Sequence, residues 1–239
     1  MATVTEHYSS HLAPIYLWMA GGMEAALASG AQDLAAFLPG AGLAVDLGAG
    51  FGMHSIPLAR GGYRVVAVDL SSTLLAILGD HGIGLPIQTV ESNLLDFRAG
   101  VAGPAELIVC MGDTLPHLES LDEVERLCEA VARCLSPTGK FVATFRDYST
   151  PARGDRRFIP VRSDSDRILT CFLEEAHDHI NVHDIIHERD RTQWNLRVSS
   201  YRKLRLPPAA VANALRRQGL MTTLEPGPRG MVQVVGSAR

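Results

Sequence analysis

The sequence predicts an α/β fold: a mostly parallel sheet covered by helices on both faces and extended by an antiparallel β cap. Three observations carry this reading. Between residues 43 and 148, short apolar runs alternate with helical periodicity, the pattern of successive βαβ units. The first of these runs ends in a glycine-rich turn, Gly48-Ala49-Gly50-Phe51-Gly52. After residue 150 the alternation gives way to long runs of strand formers separated by polar turns.

Residues 11–38 are rich in Ala, Leu and Met and break at Gly21-Gly22, which predicts two helices ahead of the sheet. Gly42–Leu47 is a short apolar run closed by glycines, the look of a strand buried on both faces. Met53–Arg60 reads as a helix despite Pro57, and Tyr63–Asp69 as a second buried strand. A helix over Thr73–Leu78 and strands at Ile87–Val90 and Ala105–Met111 continue the alternation. In Leu121–Leu135 the apolar residues Leu121, Val124, Leu127, Cys128, Val131 and Leu135 fall on one helical face. Pro137-Thr138-Gly139 should stop that helix, and Lys140–Tyr148 follows as a strand.

Pro151–Asp164 reads as a polar connection. Arg167–Glu175, Ile180–Asp190 and Gln193–Leu206 then form an antiparallel meander, turning at Asp178-His179 and Arg191-Thr192. Pro207-Pro208 opens a helix through Arg217, Gly219 caps it, and strands on either side of Pro226-Gly227-Pro228 make a terminal hairpin. The expected organisation is an N-terminal helical lid over 1–42, a core over 43–148, a cap over 149–206, and a closing helix and hairpin over 207–239.

Composition narrows the function. Hydrophobic residues make up 46% of the chain and charged ones 20%, ordinary for a globular protein. The net charge of −4 hides an asymmetry: residues 1–145 carry 6 basic and 15 acidic side chains, residues 146–239 carry 16 and 11. The basic excess is nearly all arginine, interleaved with acids, which fits either an ion-paired surface or a pocket wall for an anion. A pI near 6.1 argues against a nucleic-acid partner. No run approaches the roughly 18 apolar residues of a spanning helix, so no membrane partner is expected. Cys110, Cys128, Cys134 and Cys171 sit in apolar stretches without C-x-x-C spacing, as buried thiols of a cytoplasmic protein.

Val45-Asp46-Leu47-Gly48-Ala49-Gly50-Phe51-Gly52 joins the first strand to its helix, where glycines permit close approach and a helix end can face an anion. Dinucleotide spacing fails, because a third glycine would fall at Met53. Glycines at 48, 50 and 52 behind Asp46 resemble motif I of the class I S-adenosylmethionine-dependent methyltransferases. Asp69, 19 residues after Gly50, matches that family's ribose-binding acid, and Asn93-Leu94 matches its adenine-contacting pair, where Asp is commoner. The resemblance covers about Leu43 to Tyr148. It implies a Rossmann-like core, S-adenosyl-L-methionine as cofactor, and a cofactor site built from Tyr16, Asp46, Gly48, Ala49, Gly50, Asp69, Leu70, Asn93, Leu94 and Met111. It also implies a small-molecule substrate, with a homodimer open as an assembly.

In open α/β sheets the ligand lies beyond the carboxyl ends of the strands, which puts Gly112–Leu118 and Arg146–Tyr148 near the transferable methyl. Both segments look like those of glycine N-methyltransferase and its small-amine relatives, where Gly-Asn-Ser-x-x-His-Leu and Arg-Asn-Tyr stand. By that resemblance Arg146 pairs with a substrate carboxylate; an ion pair with Asp147 or Asp113 is the alternative. Asp113 and Asp147 depart from the family's Asn. A carboxylate at 113 suits a cationic amine or a hydroxyl proton, or simply a turn. His117 is placed to act as a base, or to hydrogen-bond the backbone. The expected catalytic set is thus Asp113, His117 and Arg146, for methyl transfer to nitrogen, with oxygen or a non-catalytic scaffold as alternatives.

Tyr8, Tyr16 and Trp18 are candidates for an aromatic lid over a cationic sulfonium, Tyr16 foremost. His177, His179, His183 and His187 cluster in the cap, but His183 and His187 would stand about 13 Å apart at roughly 3.3 Å per residue. With no cysteine at ligand spacing, no metal site is expected. His183 or Tyr201, with Arg197, is expected to line the substrate pocket.

Overall fold

Residues 43–145 supply five parallel strands: β1 (Leu43–Leu47), β2 (Arg64–Asp69), β3 (Ile87–Glu91), β4 (Ala105–Cys110) and β5 (Leu135–Phe145). The structure is a computed structural model describing Thr3 and residues 6–238. A second set lies in the cap: β6 (Phe158–Ser163), β7 (Arg167–Glu175), β8 (His179–Asp190) and β9 (Gln193–Leu204). The C-terminal hairpin is β10 (Met221–Pro226) and β11 (Val232–Ser237). The central sheet has the order β10-β11-β5-β4-β1-β2-β3, with β11 running against its neighbours; the cap is an antiparallel sheet in the order β6-β7-β8-β9.

The helices are α1 (Tyr16–Met19), α2 (Met23–Asp33), α3 (Ser55–Arg60), α4 (Ser72–His81), α5 (Leu121–Cys134) and α6 (Pro208–Arg217). The inner parallel strands β1, β2 and β4 read as apolar runs because both of their faces are covered, whereas β3 at the edge is largely exposed. Leu43, Val45, Leu47 and Ile108 share a core with α5 and α6, while Ala44, Val65, Leu107 and Val109 pack with α3 and α4. Ser71 and Ser120 cap α4 and α5, accepting from Leu74 N and Glu123 N. Chain order runs β1 to β3 in one direction and then crosses to β4 beside β1. The two loops leaving β1 and β4 therefore part and open a crevice, the place where such sheets bind ligands.

Four expectations change. The polar connection contains β6, an exposed edge strand whose Pro160 is tolerated beside a register shift; with its side chains largely in solvent, it has no alternation to read. Pro137-Thr138-Gly139 does not separate helix from strand, because α5 ends at Cys134 and the three residues are looped out of β5 between pairings with Ala105 and Leu107. The strand ends at Phe145, leaving Arg146–Tyr148 as loop. N-terminal helical structure also starts earlier, with a π-helical turn over His7–Leu12 and a 3-10 turn over Ala13–Ile15.

That N-terminal segment bridges cap and core. Leu12 and Ile15 pack on Leu169 and Ile186 of the cap, whereas Ala13 packs with Phe51 of the glycine turn and Leu74 of α4. His7 is fully buried: its Nε2 donates to Asp184 Oδ2 at 2.8 Å, and Ser199 Oγ stands 2.8 Å from its Nδ1. Trp18 is held over the β6–β7 turn, its ring beneath the guanidinium groups of Arg162 and Arg167 and its indole N–H on Asp164.

Two helix glycines give opposite expectations for stability. A Cβ on Gly30 of α2 would lie 1.9 Å from the Met53 carbonyl oxygen, so Gly30→Ala should cost about 2–3 kcal/mol in urea unfolding. Gly79 of α4 is exposed with open space around it, and Gly79→Ala should stabilise by about 0.5–1 kcal/mol.

Candidate active site

The crevice at the carboxyl edge is lined on one side by Gly48, Gly50, Asp69, Leu70, Ser71, Leu74 and Leu94, and on the other by Gly112, Thr114 and His117, with Tyr8 and Tyr16 over it. The glycine turn works by shape more than by charge. Gly48 N and Ala49 N both donate to Val68 O, and Gly50 N donates to Asp69 Oδ2 at 2.8 Å, so none of these N–H groups is left for an anion. What glycine provides is room: Gly48 has φ +77°, and a Cβ there would fall 2.4 Å from Thr114 Cγ2 on the opposite wall. The expectation of an anion-facing turn is corrected accordingly.

Asp69 closes β2 with both carboxylate oxygens on backbone donors, Gly50 N and Ser71 N, each at 2.8 Å. Burial raises its pKa, opposed by those N–H groups. Each oxygen keeps a further lone pair toward the crevice, the acceptor geometry that suits a vicinal diol. Asp46 lies beneath the turn, almost wholly buried; Ser55 donates to its Oδ2 at 2.6 Å, and its Oδ1 has no partner among the described residues. Burial pushes its pKa up. Asn93 spends its side-chain oxygen capping the short helix Leu94–Gly100, so Leu94 alone of that pair lines the crevice. Ala49 and Met111 are buried behind the lining, Met111 taking a contact from Thr144 Oγ1 on its sulfur.

On the far wall, Tyr8 Oη stands 3.0 Å from His117 Nε2, and the Tyr201 ring stacks on the imidazole at 5.4 Å. His117 Nδ1 is buried and has no partner among the described residues, so no backbone hydrogen bond to the ring is seen there. Burial, then the charges of Lys203 and His7, hold its pKa well below the usual value, and the ring is neutral near pH 7. Burial raises the pKa values of Tyr8 and Tyr16, which stay protonated. Tyr16 meets Phe51 edge-on at 5.6 Å, whereas Trp18 belongs to the cap contact and not to the crevice.

Asp113 does not face the crevice. Its Oδ1 accepts from Arg146 N at 2.9 Å, and its Oδ2 accepts from Tyr148 Oη at 3.2 Å and from Lys203 Nζ. The expectation that it grips a substrate amine gives way to an internal ion pair. The Arg146 guanidinium is half-buried and, among the described residues, pairs with neither Asp113 nor Asp147. Parity along β8 sets His183 on the face opposite buried Val182, Asp184 and Ile186, where it meets Glu174 and Phe172. Arg197 is held by Glu188. Of the cap residues named from sequence, Tyr201 alone reaches the crevice wall.

Lys203 is the residue that sequence reasoning missed. Its signal was compositional: only two of the 22 basic side chains are lysines, and this one shares the buried parity of Tyr201 on β9. His7 and Asp184 carried no signal, being 177 positions apart. Among the described residues no cluster of His, Cys, Asp and Glu suits a metal ion, and no helix is long and apolar enough to cross a membrane.

Comparison with known proteins agrees with this geometry. Residues 44–139 match the family described as methyltransferase domain. The cypemycin N-terminal methyltransferase of Streptomyces sp is 30% identical over 131 residues, 53% of this chain and 51% of that protein. The ubiquinone biosynthesis O-methyltransferase of Caulobacter vibrioides is 35% identical over 125 residues, 51% of this chain and 48% of the other. The chain thus spans about half the length of the curated relatives it matches. The S-adenosylmethionine-bound structure of CalS10, an amino pentose methyltransferase from Micromonospora echinaspora, superposes with a TM-score of 0.74 at 16% identity, covering 95% of this chain and 96% of that one. The lining is compatible with the S-adenosylmethionine bound in CalS10: a carboxylate, Asp69, that can accept from a diol, a glycine turn that leaves room, and the tyrosine rings of Tyr8 and Tyr16 over the crevice. Residues 44–139 thus match the methyltransferase domain family, and the chain shares the fold of a solved S-adenosylmethionine-bound methyltransferase.

Proposed function

We propose that this chain transfers a methyl group from S-adenosylmethionine to a nitrogen of a small molecule, by in-line displacement. The observation that carries the choice of nitrogen is the neutral His117 bonded to Tyr8 at the crevice wall. The bound cofactor supplies an activated methyl on a sulfonium, with a neutral thioether as leaving group. An amine brings its own lone pair: the N–C bond forms as the S–C bond breaks, and the resulting ammonium then loses a proton to water. Alignment is what such a transfer needs. A histidine made weakly basic by burial suits that task and is poorly matched to ionising a hydroxyl. With the Tyr8 hydroxyl donating to His117 Nε2, the Tyr8 oxygen keeps lone pairs for an N–H of the incoming amine. The Arg146 guanidinium, in no ion pair among the described residues, suits an anionic group elsewhere on the substrate.

The same dyad supports a second reading, O-methylation, in which a substrate proton passes through Tyr8 to His117. A relative of each kind stands beside this chain. The free cysteines fit a reduced, cytoplasmic setting.

A labelled-methyl assay over matched amines and alcohols, each with and without an anionic group, tests the proposal. Amines should be methylated with rates that rise as the amine loses its proton, and an anionic group should lower KM through Arg146. Methylation of the alcohols alone, lost in His117→Gln, would establish the second reading; cofactor binding with no transfer would leave a scaffold.

Asp69→Ala should weaken S-adenosylhomocysteine about 100-fold in calorimetry, or roughly 2–3 kcal/mol, with Asp69→Asn between it and the parent. Unchanged affinity would remove Asp69 from the ribose site. For stability, the folded pKa of His117 lies below its unfolded value, so its contribution is complete above about pH 6.5 and is lost as pH falls toward the folded pKa. His117→Gln should therefore flatten the acid-side fall in melting temperature below pH 6.5.

A further inference from the structure

The wall of the crevice opposite the glycine turn is held by a buried charge pair that crosses from the core to the cap. Leaving β4, Gly112 and Asp113 have φ of +74° and +72°, two successive left-handed residues and a sharp turn. Their backbone is fastened to β5: Gly112 N donates to Thr144 Oγ1 at 2.9 Å, and Asp113 N to Thr144 O at 3.0 Å. The Asp113 carboxylate, 9% exposed, then gathers three donors from two further segments: Arg146 N, Tyr148 Oη and Lys203 Nζ. Lys203 lies on β9 of the cap, 5% exposed, and donates to the Asp113 carbonyl as well, at 3.0 Å. One side chain of the cap thereby holds both the backbone and the carboxylate of the residue between Gly112 and Thr114, which line the crevice.

We propose that Lys203 is a positioning residue for methyl transfer: paired with Asp113, it fixes the Gly112–His117 wall of the cofactor crevice and the start of the Arg146 loop against the cap. Asp113 stands where the resembling small-amine enzymes have Asn, and a carboxylate there has an ammonium to meet it. Neither charge tolerates isolation, since removing one partner strands the other away from water. The ammonium also bears on His117, which is faced by His7 and Tyr8 from the N-terminal segment and by Tyr201 and Lys203 from β9. The inference rests on the crevice being the cofactor's, and is independent of which atom is methylated.

Two readouts on the full chain test it: calorimetric affinity for S-adenosylhomocysteine, and nitrogen NMR titration of the His117 ring. In Lys203→Met, affinity should fall at least tenfold, and the His117 pKa should rise by about one unit as a neighbouring positive charge is lost. Lys203→Arg, which keeps the charge, should hold the titration near that of the parent. If Lys203→Met fails to fold, the neutral double variant Asp113→Asn/Lys203→Met replaces it, with the same loss of affinity expected and a smaller change in the His117 titration, because both charges are gone. A lowered melting temperature with parental affinity and parental titration would make the pair structural only and overturn the proposal. Failure of the parent itself to bind S-adenosylhomocysteine would overturn the reading of the crevice together with it.

Discussion

The structure depends on one constraint: the inner strands of the central sheet, β1, β2 and β4, are buried on both faces, so a ligand reaches them only at the sheet's ends. At the carboxyl edge the crossover from β3 to β4 sets two neighbouring strands, β1 and β4, sending their loops in opposite directions. The glycine turn forms one wall of that gap and Gly112–His117 the other, close enough that Gly48 has no space for a side chain beside Thr114. Asp69 and Leu94 extend the first wall along the edge; Tyr8 and Tyr16 roof it. Each feature is a consequence of where the sheet lets its loops part.

The cap and the N-terminal segment are bound to that gap through polar contacts buried in a small volume. His7 and Asp184 join the segment to the cap, Lys203 and Asp113 join the cap to the core, and Tyr8 with His117 joins the segment to the crevice wall. Burial explains the direction of their ionisation. Phenols that lose water stay protonated, and a buried imidazole with an ammonium near it stays neutral. A site of this kind is suited to aligning a neutral nucleophile with an activated methyl.

The core was legible in the sequence because its signals are local. Asp46, the three glycines and Asp69 lie within one βαβ unit, and strands buried on both faces read as unbroken apolar runs. Beyond residue 150 the meander could be read, but β6 could not: an exposed edge strand with a proline and an irregular register lacks alternation. The site was half legible. The glycine turn and Asp69 were found through the family resemblance, while Lys203 and Asp184 act through contacts 90 and 177 positions distant from Asp113 and His7. Residue type misled at Asp113, whose carboxylate suggested a substrate contact, because nothing local shows that an ammonium is folded against it. His183 misled for a simpler reason: strand parity decides which face a residue takes, and a shift of one position reverses it.

In the proposed reaction the transferable methyl points from the glycine-turn side toward Tyr8 and His117. Nuclear Overhauser measurements with S-adenosylmethionine carrying a carbon-13 methyl should then show cross-peaks from that methyl to the ring protons of Tyr8 and His117; cross-peaks to Leu70 and Leu94 alone would reverse the cofactor in its crevice and overturn this orientation.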